Sequence, residues 1–165
     1  MTNTKYAKIK FNDIVDGEGI CVSFWTQGCP FRCPGCHNPD TWDFNGGIEI
    51  PSDIKGQIIK ALSANGVQRN FSVLGGEPLC EENLDLVHSV IMAVRIAYPE
   101  IKIFVWSGFV IETLKKRAET NEKLADILKN IDVLIDGPFI QEERNITLKF
   151  RGSNNQRVLY RGQDF

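Results

Sequence analysis

No apolar run in this chain approaches the ~18 residues a membrane-spanning helix needs, which excludes an integral helical membrane protein. The opening residues, MTNTKYAKIKF, hold neither an apolar h-region nor a small-residue cleavage site. No signal peptide is therefore expected, and a cytoplasmic location is. Positive charge is not in excess: 19 Lys+Arg stand against 21 Asp+Glu, a net charge of −2. That weighs against nucleic acid as the main partner. Ser- or Pro-rich linkers, internal repeats and low-complexity tracts are missing too, so residues 1–165 are expected to form a single domain. The five cysteines are an odd number and make a poor complete disulfide framework. In a reducing compartment clustered thiols more often bind metal or do redox chemistry.

With 42 % apolar and 24 % charged residues, the composition is that of an ordinary globular protein, and its pattern alternates. IKFNDI (9–14) and ICVSFWT (20–26) read as strands, separated by a turn at Gly17 and Gly19. Ser52 is a plausible N-cap for a helix whose Ile54, Ile58, Ala61 and Leu62 share one face. FSVL (71–74), IKIFVW (101–106) and VLID (133–136) read as buried strands. Between them, Leu84, Val87, Ile91 and Val94 mark a helix ending before Pro99; Leu114 and Ala118, then Leu124, Ile127, Leu128 and Ile131, mark further helical stretches. LKF (148–150) and VLY (158–160) are weaker strand candidates.

Strands alternating with helices imply βαβ units and a mainly parallel α/β sheet. Such sheets place ligands at the carboxyl ends of their strands, and here those ends carry unusual segments: the cysteine loop, GGEP, SGF and DGPF. A closed eight-fold barrel needs ~200 residues or more, so an open, partial βα barrel is expected.

The segment QGCPFRCPGCHNP (27–39) places Cys29, Cys33 and Cys36 at C-x3-C-x2-C spacing. A structural zinc site takes four ligands, and iron–sulfur clusters are usually held by four cysteines. Three thiolates on a cubane leave one iron free for a small chelating ligand. Gly28 and Gly35 let the backbone approach such a cluster. Other readings stay open. Zinc needs a fourth ligand from Cys21, Cys80, His37 or His88. An electron-transfer cluster could use Cys80 or Cys21. A Cys33–Cys36 redox couple would leave Cys29 unexplained. At the later strand ends, Gly75-Gly76-Glu77-Pro78 offers open backbone and a carboxylate for an ammonium, or else a type II turn. Ser107 with Gly108 suits a carboxylate or a ribose. Asp136 reads either as a ribose ligand or as a turn former. Trp25 and Trp106 read as core.

C-x3-C-x2-C followed by an aromatic-type residue resembles the motif of the radical S-adenosylmethionine (SAM) enzymes. Within them, DGEG, TQGCPFRCPGCHNPDTW, GGEP, VWSGF, VLIDGPF and RGSNNQR, in that order over about residues 10 to 160, resemble the activating proteins of anaerobic (class III) ribonucleoside-triphosphate reductase. Asn154 stands where a serine is expected, and Cys80 is unexpected after GGEP.

The resemblance implies a partial barrel of the radical SAM type. It also implies a [4Fe–4S] cluster on Cys29, Cys33 and Cys36, with SAM chelating the free iron. Gly35, Cys36, His37, Gly75, Gly76, Glu77, Ser107 and Asp136 would contact SAM: His37 beside adenine, Gly76 and Glu77 at the methionine amino group. An external low-potential donor such as a flavodoxin would reduce the cluster. The 5′-deoxyadenosyl radical from SAM cleavage would then take a hydrogen atom from a glycine of the large reductase subunit. No side chain is needed as a conventional acid or base. Alternatives are an activase of another glycyl-radical enzyme, a small radical SAM enzyme acting on a small molecule, and a zinc-stabilised binding module. The basic tail (Lys149, Arg151, Arg157, Arg161) reads equally as a partner-docking surface and as a solvated strand.

Overall fold

The computed structural model describes residues 3–165. Its centre is strand β2 (Cys21–Thr26), whose six residues are all buried. Parallel to it run β4 (Asn70–Gly75), β5 (Ile103–Ser107) and β6 (Val133–Asp136). Three antiparallel strands complete the edges: β1 (Lys5–Asp13) beside β2, the two-residue β3 (Ile48–Glu49) beside β1, and β7 (Arg157–Tyr160) beside β6. The order β3-β1-β2-β4-β5-β6-β7 makes one open seven-stranded sheet. This is the mainly parallel α/β arrangement that the alternating pattern implies.

Four helices cross over between the parallel strands: α1 (Ile54–Leu62), α2 (Glu81–Ala97), α3 (Ile111–Ala118) and α4 (Glu122–Asn130). Their apolar stripes pack with Val22, Phe24, Phe71, Val73, Ile103, Val105 and Leu134 in one core. Because side chains alternate along a strand, the intervening residues face the other way. There Phe104, Val133 and Ile135 form a smaller cluster with Trp106, Phe150 and Val158. Loops rather than helices cover that face. The β1–β2 connection folds across its lower part: Ser72 Oγ donates to Asp16 O at 2.6 Å and Asn70 Nδ2 to Glu18 O at 3.0 Å. Gly17 must be glycine, since a Cβ with its φ of 121° would stand 2.7 Å from both Cys21 Sγ and Ser72 Oγ.

Three local expectations are corrected. Ser52 does not cap α1; Asp53 precedes the helix, and its carboxylate accepts from Gln57 Nε2 instead. LKF (148–150) is no strand: Phe150 takes φ 65°, and the segment turns inward so that Leu148 and Phe150 face a cavity. The strand expected at 101–106 begins at Ile103 and extends to Ser107. VLY (158–160) does lie in a strand, β7.

Candidate cluster site

The cysteine loop leaves β2 and the GGEP loop leaves β4, side by side because Thr26 pairs with Gly75 in parallel register. The pairing continues beyond the strands. Gly76 N donates to Thr26 O and Glu77 N to Gly28 O, both at 2.9 Å. Such closeness leaves no room for side chains. A Cβ at Gly76 would run into the carbonyls of Gly28 and Thr41, and one at Gly75 (φ 108°) would sit 2.7 Å from the backbone N and O of Thr26. From the opposite side, Gly28 N donates to Thr41 O at 2.7 Å and Cys29 N to Trp42 O at 3.2 Å. The loop is thus gripped between two backbones. Phe31 adds a third hold, edge-on to Phe109 with ring centroids 4.8 Å apart, over Gly108, which has no side chain to obstruct it.

These loops enclose a cavity of about 500 Å³ whose wall includes Cys29, Cys33, Cys36, His37, Gly75, Gly76, Glu77 and Ser107. All three thiols are free and half-buried. Burial pushes the Cys29 and Cys33 thiols up. Backbone donors oppose that rise: Phe31 and Arg32 N–H at the Cys29 sulfur, Phe139 N–H at Cys33. Cys36 Sγ accepts from Asn38 N at 3.4 Å. Among the described residues, no three His, Cys, Asp or Glu side chains are grouped so as to hold one metal ion. A single zinc needs its ligands within ~2.3 Å of one point, whereas a cubane takes each thiolate at its own corner. Three thiols on one cavity wall are the donor type that iron–sulfur clusters take, and the indole N–H of Trp42, a cavity-wall residue, is buried without a protein acceptor.

The candidates for a fourth ligand mostly point elsewhere. Cys80 precedes α2, is 3 % exposed and donates its thiol to Glu77 O at 3.2 Å; burial pushes that thiol up to about 12. Cys21 is wholly buried and bonded to Glu18 O. His88 lies on α2 and pairs with Asp126 of α4 at 3.0 Å. Only His37 of this group lines the cavity, its ring 5.4 Å from that of Phe139.

Glu77 is 1 % exposed, and its carboxylate is already engaged. It accepts from Leu79 N (2.9 Å), Ser107 Oγ (2.8 Å) and Gly108 N (2.7 Å). Burial still raises it to about 7 against these donors. Glu77 and Ser107 thus bind one another and brace the ends of β4 and β5. Asp136, expected as a ribose ligand or a turn former, lies outside the cavity wall. It is wholly buried, accepts from Ile111 N at 2.8 Å at the start of α3, and is paired with Arg157 at 2.6 Å. Gly35 also lies outside the wall, where a Cβ would strike Gln141. The arginines of the basic tail are paired within the chain: Arg157 to Asp136 and Glu112, Arg161 to Ile131 O and Asp132, Arg151 to Gln156 O.

Three wall features had no separate signal in the sequence. Trp25 and Trp106, expected as core, both line the cavity. So does Asp16 of DGEG, which burial and the neighbouring Asp13 raise to about 7. Burial also acts to raise Asp13, but hydrogen bonds from Asp16, Ser23 and Val15 outweigh it and hold Asp13 at about 2.

Residues 15–159 match the family described as a 4Fe-4S single cluster domain. Three similar proteins each bear the name anaerobic ribonucleoside-triphosphate reductase-activating protein. That of Pasteurella multocida is 34 % identical over 157 residues, 94 % of this chain and 96 % of its own length. That of Escherichia coli is 33 % identical over 147 residues, 88 % and 92 % of the two chains. That of Enterobacteria phage T4 is 31 % identical over 155 residues, 93 % and 92 %. With a match that takes in the cysteine loop, GGEP, DGPF and most of the tail, this chain belongs to the 4Fe-4S single cluster domain family and, within it, to the anaerobic ribonucleoside-triphosphate reductase-activating proteins.

Proposed function

We propose that this chain is a radical SAM activase, folded as an open partial barrel, that generates the glycyl radical on the large subunit of anaerobic ribonucleoside-triphosphate reductase. One observation carries the reading: three thiols and the GGEP backbone face a single cavity of about 500 Å³. When bound there, a [4Fe–4S] cluster supplies the low-potential electron for reductive cleavage of SAM, and a hydrogen atom is taken from the partner's glycine.

Cys29, Cys33 and Cys36 would hold the cluster, and SAM would take the position they leave open. The open backbone at Gly75 and Gly76 admits the methionine end, and Glu77 keeps that backbone in place through Ser107 and Gly108. His37 and Phe139 form an aromatic wall for adenine. Trp25, Leu74, Trp106, Ile135 and Phe150 line the same cavity with apolar surface, which excludes water from a reactive radical. Val15 and Leu148 reach the cavity, and beside them Ile14 and Ile146 are exposed. This apolar rim receives the glycine-bearing segment of the partner. An external donor such as a flavodoxin supplies the electron. Among the described residues no helix is long and apolar enough to cross a membrane.

Anaerobic reconstitution tests the reading. About four iron and four sulfide per chain, SAM cleavage under dithionite, and a glycyl electron resonance signal only when the large reductase subunit is added are the expected results. Iron uptake without SAM cleavage would overturn it.

A further inference from the structure

The cysteine loop is tied firmly where it begins and sparingly beyond. Gly28 N and Cys29 N are bonded to Thr41 O and Trp42 O, but among the described residues the backbone of residues 30–35 makes no hydrogen bond beyond the loop. The aromatic hold on this stretch is the ring of Phe31, midway between Cys29 and Cys33. It meets Phe109 with ring planes at 69° and covers Gly108, where a Cβ would come 2.7 Å from Cδ2 and Cε2 of the ring. The backbone of Phe109 is fixed in turn: its N–H donates to Ser107 Oγ at 3.1 Å, and its carbonyl accepts from Gly137 N at 3.4 Å.

Over the Phe109 ring lies Arg117, in the last turn of α3, its guanidinium carbon 4.6 Å from the ring centroid. Arg117 is oddly placed for a cation. Both Nη atoms are buried, and neither makes a hydrogen bond. Its ion-pair partner among the described residues, Glu81 Oε1, is 3.8 Å from Nη2 and belongs to a side chain that is 78 % exposed. Such a pair contributes little, and burying an unpaired charge is costly. The π face of Phe109 is therefore the main compensation for that charge. A guanidinium suits this place, being planar and more weakly hydrated than an ammonium.

We infer that Arg117 is a positioning residue: its guanidinium fixes the Phe109 ring, and Phe109 holds Phe31, so that the loop keeps Cys33 in place at the cavity wall. Arg117 itself is not part of that wall, so it acts through the two rings. The consequence for a bound cluster rests on the cluster reading; the hold on the loop does not.

The test is iodoacetamide alkylation of the apo chain, with the rate at each cysteine read by mass spectrometry and melting measured alongside. Arg117→Ala is expected to label Cys33 about tenfold faster than the wild type, the loss of a desolvated cation–π contact expressed as a rate, with the buried Cys80 unchanged. Phe31→Leu should do the same. The double variant should be no faster than Phe31→Leu alone, because both changes act on one chain of contacts. Arg117→Lys, which keeps a cation for the ring, restores most of the protection. Arg95→Ala is the control for lost stability: it removes bonds to Asn130 O, Pro99 O and Ile101 O, lowers the melting temperature and leaves the Cys33 rate alone. On the reconstituted protein, Arg117→Ala and Phe31→Leu should release iron to a chelator faster by a similar factor. An unchanged Cys33 rate in Arg117→Ala, additive rates in the double variant, or acceleration of Cys80 alongside Cys33 overturns the inference, as does an equal acceleration in Arg95→Ala. A wild-type chain that takes up no iron overturns the cluster reading, and the labelling rates still decide the inference.

Discussion

The two faces of the sheet are built on opposite rules. On the helix side, Val, Ile, Leu and Phe from strands and helices fill one continuous core. On the loop side the same strands present Ser23, Ser72, Trp25 and Trp106, covered by loops that leave a cavity. Each strand thus serves stability with one set of alternate residues and the site with the other. Packing on the first face holds the strand ends in register, and register is what brings the cysteine loop against GGEP. The second face mixes buried serines with Trp25, Trp106 and the Phe104–Val133–Ile135 cluster, and it stays open where the loops leave the cavity.

The comparison can be broken at several points. The largest effect belongs to Cys33→Ala, which is expected to abolish iron–sulfur assembly and SAM cleavage while the circular dichroism of the apo chain is unchanged. A variant that still cleaves SAM under dithionite would remove the three-thiol argument. Phe71→Ala, wholly buried on the helix side, should do the reverse: about 3–5 kcal/mol less stable by urea unfolding, with cluster binding retained wherever the chain is folded. A loss under 1 kcal/mol would mean that the helix-side core is not where stability resides.

Glu77 sharpens the contrast, being a buried acid on the site side. Its folded pKa of about 7 lies above the ordinary 4.5, so the folded state binds more protons between those values. Stability of the apo chain therefore falls as pH rises from about 4.5 to 7 and levels off above. Asp16 adds to the same slope. Glu77→Gln should flatten part of it, and Glu77→Ala should weaken SAM binding but spare the cluster. An unchanged pH slope in Glu77→Gln, or unchanged SAM affinity in Glu77→Ala, contradicts this. The smallest effect is expected at Lys102→Ala. Lys102 pairs with Glu18 at 2.9 Å to tie down the β1–β2 loop, but both side chains are about half exposed, so the loss should stay below about 1 kcal/mol. A larger loss would make that loop part of the stabilising framework.

Helix stripes were legible in sequence because periodicity is local: Ile54, Ile58, Ala61 and Leu62 are buried on α1, and Leu84, Val87, Ile91 and Val94 on α2. The four parallel strands and the cysteine spacing were legible for the same reason. What was not legible has a different source. Ser52 and Asp53 offer equivalent caps, and only the path of the chain chooses between them. LKF carries a strand-like pattern, but a left-handed Phe150 folds it into the cavity wall. Asp136 and Ser107 end adjacent strands and pair in register, yet only Ser107 faces the cavity; Asp136 is claimed by Arg157, 21 residues further on.

Composition, periodicity and spacing were enough for the α/β class, the helix faces and a three-thiol loop, since each depends on neighbours within a few residues. Tertiary structure alone decided which polar groups are free to meet a ligand. It enclosed Cys80 and Cys21 and turned Glu77 into a brace. Those outcomes depend on partners distant along the chain, and a buried polar group takes whichever partner the packing brings within hydrogen-bonding reach.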